Sequence, residues 1–227
     1  MSGYALLLLQ GFGVTMAVAV CALAVALLAG ALAAWAAIGG GGAIRAAASL
    51  YITIARGIPE LVTILLVFYG LPTMVNALSV AVGYPVRLEF NAFLAGALTL
   101  GVIYGAFMAE VMRGAILAVP ASQRDAASAL GMRRMAVLRH VTGPQALRRA
   151  APGIVNVWLV LLKATALTSV IQLDEVMRAA TIAARATKAP FTWYFCASLA
   201  YLAVALASMA VQARLEAHAS ARTQAPG

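Results

Sequence analysis

Few side chains in this sequence could do chemistry, and their surroundings narrow what that chemistry is. Cys21 and Cys196 are the two cysteines, each inside an apolar run and reading as a packing residue. His140 and His218 are the two histidines, both in polar segments, and no His/Cys/Asp/Glu set has the spacing of a metal site or a nucleophile with its base. Catalysis and a resident metal or cofactor are therefore not expected. There is no Gly-x-x-x-x-Gly-Lys-Ser/Thr loop, so this is not a chain that binds ATP in that way. What stands out instead is a small set of polar groups in or beside apolar runs: Glu60, Tyr104, Glu110, Lys163 and Thr165. Ionisable groups are costly in hydrocarbon, so they pair with one another or line a polar path. Lys163 has both readings open: partner to a carboxylate or to helix carbonyls where subunits meet, or contact with the carboxylate end of a solute.

The elements that must position these groups are set by composition. Of 227 residues 64% are apolar and only 10% charged, with mean hydropathy +0.95. That is far too little charge to cover a water-soluble surface, so the excess apolar area faces lipid or other subunits. The net charge of +9 lies in loops and not on a stripe beside stacking aromatics, which argues against nucleic acid. No charged side chain occurs from Met1 to Gly42, so the basic start of a signal peptide is missing and a retained membrane segment is expected. Residues 1–13 read as an interfacial segment broken at Gly11 and Gly13. Membrane spans are expected at about 14–38, 52–71, 91–112, 153–173 and 191–213, with a long polar interval at 113–152 and a tail at 214–227.

Charge placement orients the spans. With the N-terminus outside, the cytoplasmic segments hold eleven arginines (Arg45, Arg56, Arg113, Arg124, Arg133, Arg134, Arg139, Arg148, Arg149, Arg214 and Arg222) against four cations outside (Arg87, Arg178, Arg185 and Lys188). Glu60 and Glu110 then fall near the cytoplasmic ends of their spans. Glu110 reads as structural, paired with Arg113 or Arg56. Within the polar interval, Ser122 as N-cap and Asp125 three residues later read as a capping box, and Gly131 as a left-handed stop. The result is a two-turn helix whose surface is mostly alanine. It serves either as an amphipathic helix on anionic lipid or as a docking helix for another protein.

Asp125-Ala126-Ala127, then Gly131 and Pro144, resembles the Glu-Ala-Ala loop of permeases of ATP-binding-cassette importers, with Asp in place of Glu. Arg56-Gly57-Ile58-Pro59-Glu60-Leu61 resembles the start of the second span in the polar amino-acid branch. The run from Thr99 through Tyr104, followed by Glu110, Arg113 and Gly114, resembles the third, and Leu162-Lys163-Ala164-Thr165-Ala166-Leu167 the fourth. These blocks cover about 11–213 in order, and they are most similar to the histidine/lysine-arginine-ornithine and octopine/nopaline permeases.

The resemblance implies an all-α integral membrane protein with five transmembrane helices of the type I importer permease, N-terminus out and C-terminus in, in the bacterial inner membrane. It implies a second permease (a homologue or another copy of this chain), two ATPase subunits carrying the ATP and magnesium, a periplasmic substrate-binding protein, and an amino-acid substrate. Ser122, Asp125, Ala126, Ala127, Leu130 and Gly131 would dock the ATPase, and Glu60, Tyr104, Lys163 and Thr165 are candidates for the substrate path. Glu60 is the candidate for selecting basic substrates. Arg56, Gly57, Pro59, Glu110, Arg113, Gly114 and Pro144 would shape the framework. An alternative also fits: a scaffold-like half that docks the ATPase while the partner permease supplies the substrate site.

Overall fold

The uncharged N-terminal stretch forms one helix, α1 (Ser2–Gly39), which runs unbroken through Gly11 and Gly13 where a break was expected. Gly11 is there for a contact: a Cβ at that position would lie 2.9 Å from the carbonyl carbon of Glu175. This is a computed structural model, and it describes residues 2–84 and 87–221, with side chains for 3–84 and 87–214. Arg222 and the end of the tail lie outside the described residues, as does the side chain of His218. Among the described residues all regular structure is helical.

The second expected span differs most. Helix α2 (Gly42–Gly57) ends at Ile58 and Pro59, both with extended ψ, and α3 begins at Glu60. Pro59 lacks the N–H a helix interior needs and holds Ile58 out of the helical region, so the chain must break there. From Glu60 the chain continues through α3 (Glu60–Leu65), a π turn at Leu66–Gly70 and α4 (Leu71–Ala81) as one apolar run, Glu60–Ala81. Pro72, which suggested a stop after Leu71, is accommodated by the π turn, where Leu71 N–H donates to Leu66 C=O.

The same device recurs. After α5 (Ala92–Leu117) and the short α6 (Ala121–Ala129), α7 (Arg134–Val137) passes through a π turn at Leu138–Thr142 into α8 (Gly143–Ala164), with Pro144 again two residues past the turn. The helix that carries the fourth expected span therefore begins far earlier than 153, in one helical run from Arg134 to Ile171 that contains Pro152. Its last seven residues, Thr165–Ile171, tighten to a 3-10 helix. There the hydroxyls of Thr165, Thr168 and Ser169 each donate to the carbonyl three residues back. Helices α9 (Val176–Thr187) and α10 (Pro190–Ala221) complete the chain. Helix α9 was not expected, although Val176, Ala179, Ala180, Ala183 and Ala184 form its buried stripe at helical spacing.

Five helical runs among the described residues are long and apolar enough to cross a membrane: Gly3–Gly39, Glu60–Ala81, Ala92–Leu117, Arg134–Ile171 and Pro190–Arg214. Helix α5 is the centre, packed along α1 through a seam of small residues. A Cβ on Gly101 would lie 2.5 Å from Val25 Cβ, so the close approach of the two backbones depends on glycine. A second, smaller core joins Tyr4, Leu8 and Phe12 of α1 to α9 and to Trp193 and Ala197 of α10.

Candidate substrate path and docking surface

The break between α2 and α3 leaves Glu60 in the first turn of α3, half-buried, where its carboxylate faces α5. Tyr104 Oη donates to Glu60 Oε1 at 3.5 Å, the outer limit of a hydrogen bond. Tyr104 is only 3% exposed and sits midway along α5. Glu60 thus lies at the start of its own apolar run, as charge placement suggested, and its carboxylate meets the middle of the central helix. One turn earlier the Arg56 guanidinium lies 5.3 Å from the centre of the Phe107 ring, a cation–π contact. Further along α5 Glu110 pairs with Arg113 at 2.8 Å, the pairing its spacing allowed. Gly57 and Pro59 frame the break, and Gly114 is exposed near the end of α5.

Lys163 is exposed on α8 and makes no ion pair or hydrogen bond among the described residues. Asn156 and Val160 are exposed on the same helical face, so two polar groups flank an apolar one on the side of α8 that its own bundle leaves uncovered. Thr165, two residues later, turns the other way. It is fully buried, donates to Leu162 C=O at 2.6 Å and lies 3.5 Å from Tyr201 Oη. Tyr104 and Glu60 are brought together; Thr165 belongs to a different polar cluster.

The centre of that cluster, Glu175, escaped the sequence reading, which left it in an outer loop. It caps α9, accepting the N–H of Arg178 on Oε1 and of Met177 on Oε2, both at 2.9 Å. Tyr201 of α10 donates to Oε2 at 3.1 Å and Thr15 of α1 at 3.4 Å. The carboxyl is wholly buried in the connection between the fourth and fifth spans. Burial raises its pKa above the ordinary carboxylate value, and the four donors oppose that rise. An acid directly before the alanine stripe of α9 was the one available signal.

At the other end of the bundle α6 starts at Ala121 with Pro120 as its N-cap residue, so Ser122 lies in the first turn and caps nothing. The extended ψ of Pro120 turns the chain into the helix two residues before the expected point. Gly131, at φ +78°, stops the helix: its N–H donates to Ser128 C=O and that of Met132 to Ala127 C=O, the paired bonds of a glycine C-terminal turn. Asp125 and Ala126 are exposed, and Leu130 is 84% exposed. Ala127 is 6% exposed and faces its own chain, so it cannot belong to an outward surface as expected. Gln145 Nε2 donates to Gln123 Oε1 at 2.6 Å, fixing α6 to α8, and Arg149 donates to Ala118 C=O at 2.5 Å, fixing the end of α5 to α8. Pro144 is exposed in the first turn of α8.

Residues 26–220 match the model of a family described as the binding-protein-dependent transport system inner membrane component. The chain belongs to that family. As a member it is a multi-pass membrane permease of an ATP-binding-cassette transporter. The permease is 39% identical over 201 residues to the octopine transport system permease protein of Rhizobium radiobacter, covering 88% of this chain and 85% of that one. It is 37% identical over 220 residues to the histidine/lysine/arginine/ornithine transport system permease protein of Escherichia coli, covering 94% and 93%. A crystal structure of an amino acid ABC transporter with histidines contains a chain that aligns over 96% of both, at TM-score 0.83 and 29% identity. The methionine ABC transporter in its inward-facing form shares the fold, at TM-score 0.66 and 17% identity over 93% of each chain. Similarity to the octopine and histidine permeases places this permease in the branch its motifs resembled.

Proposed function

We propose that this permease forms one half of the transmembrane path of an importer for a basic amino acid or opine. The observation that carries the reading is Glu60, an acid at a helix break beside the midpoint of α5, held among the described residues by one long hydrogen bond from a neutral hydroxyl and so free to take a cation. Broken helices at mid-depth are where transporter substrate sites are built. The relatives named for octopine and for histidine, lysine, arginine and ornithine support a cationic substrate. Lys163 and Asn156 face away from the bundle, toward a second permease of the same fold; there the ammonium meets either the partner's helix or the carboxylate end of the solute.

The N-terminus lies outside and the C-terminus in the cytoplasm of a bacterial inner-membrane protein, which puts α6 on the cytoplasmic side. Its outer surface, Asp125, Ala126 and Leu130, docks one of two ATPase subunits, where ATP and magnesium are held. Closure of the ATPases moves α6 and rocks the spans between inward- and outward-open forms. A periplasmic binding protein loads the outward-open form.

Glu60→Gln tests the reading. It removes the charge and keeps the shape, so uptake of an arginine-like substrate falls by about 10-fold or more, in line with a lost charged hydrogen bond of ~1.5–3 kcal/mol, while any neutral substrate is little affected. Equal loss for cationic and neutral substrates would make Glu60 structural.

A further inference from the structure

Helix α2 carries three stripes. Ala48, Tyr51, Ile52 and Ala55 turn toward the bundle, Ala43, Ala47, Leu50 and Ile54 form an exposed apolar stripe, and Arg45, Ser49, Thr53 and Arg56 an exposed polar one. The two exposed stripes meet different flanks of α5: Ile54 lines an apolar cleft of about 390 Å³ with Leu98 and Val102, whereas Arg56 reaches Phe107. On that second flank Tyr104, Phe107, Glu110 and Arg113 are each three residues apart, so neighbours stack along the helix. The Tyr104 and Phe107 rings are 5.5 Å apart. Glu60 on Tyr104, Arg56 on Phe107 and Glu110 on Arg113 then place acid, cation, acid and cation in order from the middle of α5 toward its end. Arg56 holds its place loosely. It is exposed and makes no hydrogen bond or ion pair among the described residues; its guanidinium meets the Phe107 ring face, and its charge acts on Glu110. An arginine that braced the framework would set the N–H donors of its fork on fixed acceptors.

We infer that the Phe107 ring face and the Glu110 carboxylate form a second subsite for the guanidinium or ammonium of a basic solute, one step beyond Glu60, and that Arg56 holds it in this structure as a tethered cation. The inference rests on the reading of Glu60 as the first cation site. An aromatic face beside a carboxylate accepts a cation of either kind. Exchanging Arg56 for a solute cation also leaves the charges of the row balanced, which matters where ionisable groups lie in or beside hydrocarbon. A neutral solute of the same shape displaces Arg56 without replacing its charge. The exchange therefore favours basic solutes a second time, after Glu60 has done so.

The test removes the tethered cation and leaves a reporter in its place: Arg56→Cys, in a chain whose two exposed cysteines are replaced by Cys21→Ala and Cys196→Ala. The assembled transporter in nanodiscs is treated with 2-aminoethyl methanethiosulfonate, a cation, or with a neutral methanethiosulfonate of similar size. Mass spectrometry follows modification of this chain, and each rate is taken relative to a small free thiol. The expected result is a preference for the cationic reagent of about fivefold, cut by about threefold with Phe107→Leu, which keeps an apolar side chain and removes the ring face. Arginine should slow the modification, and citrulline, which has its shape without the charge, should not. No preference at Arg56→Cys, a preference unchanged by Phe107→Leu, or equal protection by arginine and citrulline would each overturn the inference. Should Phe107→Leu fail to assemble, the comparison of arginine with citrulline decides, since it needs Arg56→Cys alone. Loss of selective uptake with Glu60→Gln but no reagent preference here would keep Glu60 and remove the subsite. The reverse would keep the subsite and remove the role of Glu60.

Discussion

Glu60 and Glu175 are both carboxylates in a chain that is mostly apolar, and their surroundings differ sharply. Glu175 is closed, with four donors from three helices converging on its two oxygens and no exposure. Glu60 is half-buried and keeps one partner at the limit of hydrogen-bond length. The first arrangement fixes structure, because removing the acceptor orphans buried donors at about 1–3 kcal/mol each. Glu175→Ala should therefore lower the thermal midpoint of the purified protein clearly. Glu175→Gln should lower it less, since an amide oxygen still accepts on one side. Identical midpoints for all three proteins would remove Glu175 from this account. Glu60 could be read from the sequence because its neighbours Arg56, Gly57 and Pro59 are local. Glu175 could not, because its partners Thr15 and Tyr201 are distant in sequence and only folding brings them together.

At the scale of elements, apolar runs located the helices well where no proline interrupts them, as in α5. They stopped at Pro72 and started after Pro152, where the helices run on: Pro152 lies inside α8. Pro72, like Pro144, sits two residues past a π turn that shifts the backbone pairing by one residue and lets the helix continue. Hydropathy carries no signal for that rearrangement. Helix α9 was missed for another reason: its buried stripe is nearly all alanine, too weakly apolar and too short to register as a span. Helix α6 was legible in its Asp-Ala-Ala core and its glycine stop, but not in its facing, since Ala126 is exposed and Ala127 is not. That facing sharpens a prediction. Leu130→Ala should weaken co-purification of the ATPase and leave α6 intact, because Leu130 only faces outward. Gly131→Asp should abolish co-purification, because a side chain at φ +78° costs about 1–2 kcal/mol and undoes the end of the helix. Membrane insertion should be unchanged in both. Full recovery of the ATPase with Gly131→Asp would show that docking lies elsewhere.

For the whole molecule, the two largest of the buried clusters share one long helix, α1. The larger surrounds α5; the smaller joins the first turns of α1 to α9 and the start of α10, and Glu175 ties the two at Thr15 and Tyr201. Large apolar side chains remain exposed along α1, α4 and α10, as lipid and neighbouring subunits require. The exposed Lys163 has no partner among the described residues, which supports the proposal that the bundle is half of a path. The most direct test of that claim is uptake by the assembled transporter. This permease would be purified with a partner permease and the ATPase, sealed in liposomes with ATP inside, and supplied with binding protein and labelled arginine outside. The account predicts accumulation that requires both ATP and binding protein and that falls about 10-fold or more with Glu60→Gln. Accumulation without ATP, or undiminished by Glu60→Gln, would contradict it.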